Sequence, residues 1–330
     1  MKNRIISLIV ALSTCFTMHS QSVSFGFDGS SLANIPFNVA TTEANISSLL
    51  TEINRADRTR SSLNLSSINM EDNAKAKLHR FWANMHFSCD DSSIKQKCMQ
   101  DAQGYQVRNI NVTLHPLDDT YHGRKNKTIV ISFNRSGRIT GVRTALDSHD
   151  YASVMGEGGR VVEDERQRLE ILKFVEDFRN YYNDKDTSSL RKIFSEDALI
   201  ITGSVIKMQT RGEVKAQTNK IIYKQTDRET YLKNLQGIFN RNRFVDVAFD
   251  EITVKRNGAS GKERFFGVTL KQKWHTDHYS DEGYVFLLWE FRDNGEPPII
   301  HVRAWQPDKY ADGKPMKQDD ILDMNDFKIP

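Results

Sequence analysis

Residues 174–200 read FVEDFRNYYNDKDTSSLRKIFSEDALI, and this stretch says more about the architecture than any other part of the chain. Apolar side chains recur at helical spacing in its first third and continue a pattern that begins upstream, which predicts a helix over residues 163–183. Thr187 or Ser188 can cap a short second helix. The apolar run at 198–202 then predicts a strand. The stretch therefore indicates a helix pair that leads directly into a sheet.

Downstream of this stretch the pattern changes from helical to extended. A third helix is expected from Thr226 onwards, with its apolar face at every third or fourth position. Four strand candidates follow it, at 243–256, 264–274, 283–292 and 298–305. Helices followed by a long antiparallel sheet predict an α+β domain whose helices pack on one face of the sheet.

This second half resembles a nuclear transport factor 2-like domain, the cone-shaped fold shared with ketosteroid isomerases and the SnoaL-like polyketide cyclases. The resemblance rests on residues 174–200 and on IIHVRAWQP at 299–307, which is similar to the I-x-H-x-H strand that closes many such domains. It covers residues 164–308 and departs from the short pattern at an extra loop, 205–220. The whole chain also resembles uncharacterised exported bacterial proteins of two domains, a likeness that implies no activity.

The resemblance implies where an isomerase would carry its catalytic groups. Counting along the family's pattern places its helix tyrosine at Phe178 and its catalytic aspartate at Thr202. A phenylalanine cannot donate a hydrogen bond to an oxyanion, and a threonine is no proton-abstracting base near neutral pH. An isomerase activity is therefore not expected.

The first half of the chain is predicted to be a separate, small α+β domain. Helical spacing at 43–53 and 71–85 is followed by strand patterns at 105–114 and on both sides of a turn at 134–137. The predicted organisation is a signal peptide at 1–20, the small domain at 21–146 beginning with an extended lead-in, a linker at 147–162, the cone-shaped domain at 163–310 and a tail at 311–330.

The N-terminal MKNRIISLIVALSTCFTMHSQS has the layout of a secretory signal peptide, because a basic start precedes an apolar run and a small, polar end. The run is shorter than the ~20 residues that span a bilayer, and no later segment is expected to span one. We therefore expect an exported protein, periplasmic or extracellular, with a lipoprotein anchored through Cys15 as the alternative. Without Lys2 and Arg4 the net charge falls from +3 to +1 (3 − 2), which argues against nucleic acid as a partner.

Cys89 and Cys98 form an even pair once Cys15 is set aside. Exported proteins meet an oxidising compartment, so we predict a Cys89–Cys98 disulfide. Metal binding with His86 nearby is the alternative. No metal site and no cofactor are predicted, since the sequence contains no phosphate loop, dinucleotide fingerprint or Ser-His-Asp spacing.

A cone-shaped fold implies a concave sheet with a cavity, whose lining can be inferred from strand alternation. On strand 264–274, the face from Phe266 to Trp274 is expected to point inward. On the closing strand, His301, Arg303 and Trp305 occupy alternate positions. The predicted ligand-binding residues are Phe178, Tyr182, Thr202, Phe266, Gln272, Trp274, Tyr284, Glu290, His301, Arg303 and Trp305.

Different classes of function fit this lining. One is a non-catalytic module that binds a small molecule or a protein and self-associates. Another is an enzyme of polyketide-cyclase or hydrolyase type, with Glu290 and His301 as its acid/base pair. In a blander interpretation His301 and Arg303 face solvent or an interface, because the residues between them are apolar. Binding of a cell-envelope glycan or peptide across the domain junction is a further alternative.

Two other features have structural interpretations. Strand 283–292 is apolar on both faces, so it is expected to be buried on both sides. A homodimer could supply the second burial partner through Val285, Leu287, Trp289 and Phe291. The hairpin tip at 275–281 mixes histidines with acids, and these side chains are expected to be solvated rather than to bind a metal.

Overall fold

The structure is a computed structural model that describes residues 22–32, 35–101, 103–121, 123–152, 154–155, 165–206, 220–292 and 296–329. The predicted signal peptide with Cys15, half of the predicted linker and most of the extra loop lie outside these residues. Among the helices described, none is both long enough and apolar enough to cross a membrane.

The first half packs a long helix against an antiparallel sheet. Its elements are β1 (Ser24–Phe27), α1 (Val39–Thr59), α2 (Asp72–Trp82), β2 (Met85–Cys89), β3 (Ser93–Gln96), β4 (Met99–Gln100), β5 (Tyr105–Pro116), β6 (Asn126–Phe133) and β7 (Ile139–Thr144). The sheet order is β2-β5-β6-β7, with β4 paired to β5. The beginning of the small domain was expected to be an extended lead-in. It instead contains β1, which pairs in parallel with β3, and the beginning of α1. Asn38 caps α1 by accepting a hydrogen bond from the Thr41 N–H at 2.9 Å.

The predicted disulfide is not formed, because Cys89 and Cys98 are both free thiols. Each cysteine backbone is held by a different partner. The side chain of Asn54 on α1 hydrogen-bonds the N–H of Cys89 at 2.6 Å, whereas the N–H of Cys98 donates to Ser31 Oγ at 2.9 Å. Burial raises the pKa of Cys89 to about 11 and that of Cys98 to about 12. Both thiols therefore pack as small apolar groups at neutral pH.

The second half consists of helices on one face of a mixed sheet. Its elements are α3 (Ser148–Ala152), α4 (Glu165–Asn183), α5 (Thr187–Ile193), β8 (Phe194–Ile206), β9 (Lys220–Thr226), α6 (Arg228–Arg241), β10 (Val245–Arg256), β11 (Phe265–Thr276), β12 (Ser280–Glu290) and β13 (Ile299–Pro307). The sheet order is β10-β11-β12-β13-β8-β9, and only the β13–β8 pair of this sheet, as described, is parallel. The predicted α+β class is confirmed. Asp186 caps α5 and Asp227 caps α6. The sequence predicted Thr187 or Ser188 for the first cap and Thr226 for the beginning of the second helix.

The sheet of the second half is buried on both faces by the chain itself. Its inner face packs against α4 and α6, and Val285, Leu287 and Trp289 lie in that core with 0% exposure. The tail after β13 covers the outer face, where the ring of Phe327 stacks on Phe286 at 5.0 Å. The surface predicted for a homodimer is therefore interior in this structure. Phe291, the fourth residue of that set, packs at the margin of the same core.

A buried ion cluster joins the two halves. Glu176 on α4 is fully buried and receives hydrogen bonds from Arg108 on β5 and Arg143 on β7. The N–H of Leu146 also donates to this carboxylate, at 3.0 Å. The two arginines hold the pKa of Glu176 at about 2, against the opposing effect of burial. The junction between the halves is therefore a specific, charged interface.

Candidate ligand-binding site

Strand register decides which side chains reach the space between the sheet and the helices. Gln272 on β11 pairs with Gly283 on β12, and Leu270 pairs with Val285. Directly opposed residues share a face of the sheet, so the odd-numbered residues of β12 point inward with Gln272 and Trp274. The inward face predicted for β11 is confirmed by the burial of its members in the core and by the cavity below. For β12 the face of Tyr284 and Glu290 points outward, contrary to prediction.

A bulge on β13 breaks the alternation that placed three predicted residues together. Ile300 pairs with Trp289 and Val302 with Leu288, so His301 is the extra residue between them. Beyond the bulge, Arg303 lies opposite Leu287 on the inner face. His301 belongs to the outer side, where its ring lies 5.8 Å from that of Phe265.

The inner face and α6 line an open cavity of about 810 Å³. Its lining is mostly apolar and aromatic, with polar side chains from four strands. The lining residues are Thr202, Gly203, Ser204 and Val205 on β8, Tyr231, Leu235, Ile238 and Arg241 on α6 with Asn242 after it, Gln272, Trp274 and Thr276 on β11, His278 and Tyr279 in the hairpin, Asp281 on β12, and Arg303, Trp305 and Pro307 on β13.

Arg303 is the principal buried charge of the cavity, with 5% exposure. Its guanidinium carbon lies 5.1 Å from the centre of the Tyr231 ring, a cation–π arrangement. The Tyr231 hydroxyl in turn meets the hydroxyl of Tyr182 at 2.6 Å. Burial acts to lower the pKa of Arg303, but Tyr182, Tyr231 and Asp281 more than offset it, so the pKa is raised. Arg303 is therefore a fixed cation at any pH at which the protein is folded.

Asp281 is the acid of the cavity, and strand alternation alone gave no sign of it. It was expected to be a solvated hairpin residue, but it pairs with Trp274 across β11 and β12 and so faces inward. Burial raises its pKa, and this effect outweighs the hydrogen bond from Tyr279 and the charge of Arg303. Cross-strand counting from Gln272 could have located Asp281, had the register been known.

Glycine at position 283 is required by the way Trp305 lies across β12. A Cβ atom at Gly283 would come within 2.3 Å of the Gln306 carbonyl oxygen and within 2.7 Å of the Trp305 ring. The indole therefore lies directly on the backbone of the neighbouring strand. This close approach turns Trp305 into a flat wall of the cavity.

Five of the predicted ligand-binding residues line this cavity: Thr202, Gln272, Trp274, Arg303 and Trp305. The other six do not. Phe178, Tyr182 and Phe266 are buried in the core, with exposures of 0–1%, and Tyr284 lies on the outer face with its hydroxyl 3.4 Å from Glu251. Glu290 and His301 also lie outside the cavity.

Glu290 and His301, the predicted acid/base pair, contact each other but not the cavity. His301 Nε2 lies 2.6 Å from Glu290 Oε2, and Arg264 Nε lies 2.9 Å from the other carboxylate oxygen. Each side chain is 16% exposed. The two side chains therefore form a hydrogen-bonded cluster with Arg264 at the end of β12, away from the cavity. The acid/base role predicted for them in the cavity has no geometric basis. Across the described residues, no three histidine, cysteine or acidic side chains are grouped to hold a metal ion.

No family model and no curated protein matches this chain. Solved structures do share part of the fold. An NTF2-like protein of unknown function from Pseudomonas putida KT2440 is 10% identical over 46% of this chain and 93% of its own, with a TM-score of 0.32. Naphthalene 1,2-dioxygenase with indole bound in its active site is 7% identical over 49% of this chain and 88% of its own, with a TM-score of 0.35.

Bd1075 from Bdellovibrio bacteriovorus is 12% identical over 44% of this chain, with a TM-score of 0.33, and the match spans 42% of that protein. Such identities describe a fold and no activity. Structural matches to NTF2-like proteins cover about 45% of the chain, and the helix pair, the third helix and the six-stranded mixed sheet agree with the fold class predicted for the second half. The predicted resemblance of the second half is confirmed.

Proposed function

We propose that the nuclear transport factor 2-like half is a ligand-binding module that holds a small, largely apolar molecule in the cavity between the sheet and α6. A volume of about 810 Å³ falls in the range of roughly 300–1,000 Å³ that is usual for small-molecule sites. The aromatic walls, Trp274 and Trp305, suit a flat apolar body. Such a lining with a few polar groups is typical of binding pockets.

The observation that carries this proposal is the location of unsatisfied polar atoms. Several buried side-chain nitrogen or oxygen atoms of the described residues have no hydrogen-bond partner. Four of them belong to residues that line this one cavity: Gln272 Oε1, Asp281 Oδ1, Arg303 Nε and Trp305 Nε1. Buried polar groups are normally paired, since leaving one unpaired costs about 1–3 kcal/mol. A bound molecule with polar groups of its own would offset that cost.

Titration with the neutral dye N-phenyl-1-naphthylamine, which fluoresces in apolar surroundings, tests the proposal. The full chain is expected to bind it saturably at one site. Ile238→Trp fills the cavity from α6 and is expected to weaken binding at least about tenfold by removing space for the dye. Leu117→Trp is the matched control, because Leu117 is 52% exposed in the first half of the chain and does not line the cavity.

Thermal melts of both variants establish that each is folded. Saturable binding that survives unchanged in folded Ile238→Trp would place the dye elsewhere and overturn the proposal. Absence of binding to the unmodified chain would overturn it as well.

A further inference from the structure

The charge distribution of the cavity points to the chemical class of its ligand, an inference that rests on the function proposed above. No carboxylate oxygen of the described residues lies within 4.0 Å of the Arg303 guanidinium, although ion pairs are abundant elsewhere in the chain. Asp281, the acid of the same cavity, acts on Arg303 through its charge but is not in contact with it. A buried cation without an acid in contact is costly, because burial removes its hydration. A negatively charged ligand would supply the missing partner.

The surroundings of Arg303 favour an anion over water as that partner. The guanidinium is held from one side by the Tyr231 ring, at 5.1 Å, so its planar fork is fixed in orientation. Trp305 Nε1 can only donate a hydrogen bond, and in this structure it has no acceptor among the described residues. Arg241 on α6 adds a second cation to the lining, against the one acid Asp281. Cationic side chains thus outnumber acidic ones in the lining, by two to one.

We infer that the cavity takes an apolar or aromatic monoanion, with its carboxylate or similar oxyanion on Arg303 and its body between Trp274 and Trp305. Arginine is suited to this role because its fork pairs with two oxygens of a planar carboxylate at once. Trp274 and Trp305 supply flat apolar walls for the rest of the molecule. Neutral molecules of the same shape bind more weakly, since they leave the guanidinium without an oppositely charged partner in contact.

Two dyes with the same aromatic body test this inference. 8-Anilinonaphthalene-1-sulfonate is N-phenyl-1-naphthylamine with one added sulfonate, so the ratio of their dissociation constants isolates the contribution of the charge. The full chain is expected to prefer the anionic dye by about tenfold or more, the effect of one charge-assisted hydrogen bond. Arg303→Met is expected to bring this ratio close to one. Arg256→Met, an exposed arginine outside the cavity, is the matched control and is expected to keep the preference.

Repeating the titrations at high salt separates Arg303 from the exposed Arg241. Screening removes the effect of an exposed charge far more than that of a buried one, so a preference carried by Arg303 persists. If Arg303→Met does not fold, the unmodified chain provides a second test. Competition of the bound dye by anionic 2-naphthoate and by neutral 2-naphthamide gives the affinity ratio of an anionic and a neutral ligand of similar shape.

The outcomes separate this inference from the proposed function. If the neutral dye binds the unmodified chain as tightly as the anionic one, or if the preference vanishes at high salt, the monoanion class is wrong while the ligand-binding cavity stands. If neither dye binds, the proposed function fails and the inference fails with it. If 2-naphthamide competes as well as 2-naphthoate, the inference is likewise overturned.

Discussion

Arg303 and Asp281 share one cavity without forming an ion pair, and this separation gives the site two independent charges. The arginine stays protonated at every relevant pH, whereas burial raises the pKa of Asp281 above its usual 3.8. The acid therefore changes the net charge of the cavity in a pH range where the cation does not. Tyr279, whose hydroxyl donates to Asp281 at 2.9 Å, holds the carboxyl group at the rim.

Anion binding is therefore expected to weaken as the pH rises through the raised pKa of Asp281. Below that pKa the acid is neutral and the cavity is cationic. Above it, the carboxylate repels the ligand and lowers affinity by about three- to tenfold, the size expected for two charges several Å apart in partly screened surroundings. The sulfonate of 8-anilinonaphthalene-1-sulfonate stays ionised throughout, so titrations of this dye at a series of pH values report on the protein.

Asp281→Asn is expected to remove this step and to bind the dye with the same affinity across the acid range. His278 is the other titratable side chain beside Tyr279 and Asp281 in the hairpin part of the lining, and it is 72% exposed. His278→Gln is the control and should keep the step. A step that disappears in His278→Gln and survives in Asp281→Asn would contradict this prediction, because it would identify His278 as the titrating residue.

The strands show where prediction from the sequence succeeds and where it stops. Alternation placed Gln272 and Trp274 on the inner face correctly, because one face of β11 is apolar and the other is polar. It could not orient β12, since that strand is apolar on both faces and only its pairing with β11 distinguishes them. It misplaced His301, because a bulge inserts a residue that leaves no mark in the pattern. Alternation along β13 also found Arg303 and Trp305. It missed Asp281, because only the pairing of β12 with β11 shows that Asp281 faces inward.

The tail is a second element whose sequence did not indicate its position. Residues after β13 were predicted only as a tail, yet they are tied to the sheet by side chains of β10 and β13. Gln306 Nε2 donates to the Asp320 carbonyl at 2.8 Å and Gln306 Oε1 accepts from the Leu322 N–H at 2.9 Å. Lys255 on β10 pairs with Asp323 at 2.9 Å. The apolar outer face of β12 required a cover, and a short irregular segment provides it.

Removing residues 321–330 is expected to expose this outer face and to make the chain self-associate. The exposed patch would include Phe265, Phe286 and Leu288, each at most 2% exposed in the intact chain. Contiguous apolar patches of this kind drive association, so light scattering should report dimers or larger species.

Phe327→Ala should lower the free energy of unfolding by about 1–3 kcal/mol, measured with urea. The cost is less than for a fully buried phenylalanine because Phe327 is only partly buried. Lys328→Ala, at an exposed neighbouring position, is the control for Phe327→Ala and should change the free energy of unfolding little. A truncated chain that stays monomeric and is as stable as the intact chain would contradict the role given to the tail.

At the scale of the whole molecule, the buried cluster around Glu176 makes the two halves interdependent. The carboxylate comes from α4 of the second half, and its two arginines come from strands of the first half. Neither half can satisfy these charges alone, since separation would leave Glu176 or the arginines without their partners. Burying unpaired charges is strongly unfavourable. The chain is therefore expected to unfold in one cooperative transition, although its sequence suggests two domains.

Glu176→Gln is expected to destabilise the whole chain by about 3–5 kcal/mol, because Arg108 and Arg143 lose their shared carboxylate in a buried place. Urea unfolding followed by tryptophan fluorescence suits this test, since Trp82 lies in the first half and Trp289 in the second. The control is Glu229→Gln, whose exposed pair with Arg191 should contribute almost nothing.

The pH dependence of the same unfolding transition has a definite sign. The folded chain lowers the pKa of Glu176 from 4.5 to about 2, so its contribution to stability is fully present above pH 4.5 and is lost as the pH falls towards 2. Glu176→Gln should remove this component, so the difference in unfolding free energy between the unmodified chain and the variant should shrink between pH 5 and pH 3. A difference that stays constant over that interval, or two separate transitions in the unmodified chain, would mean that Glu176 does not couple the halves.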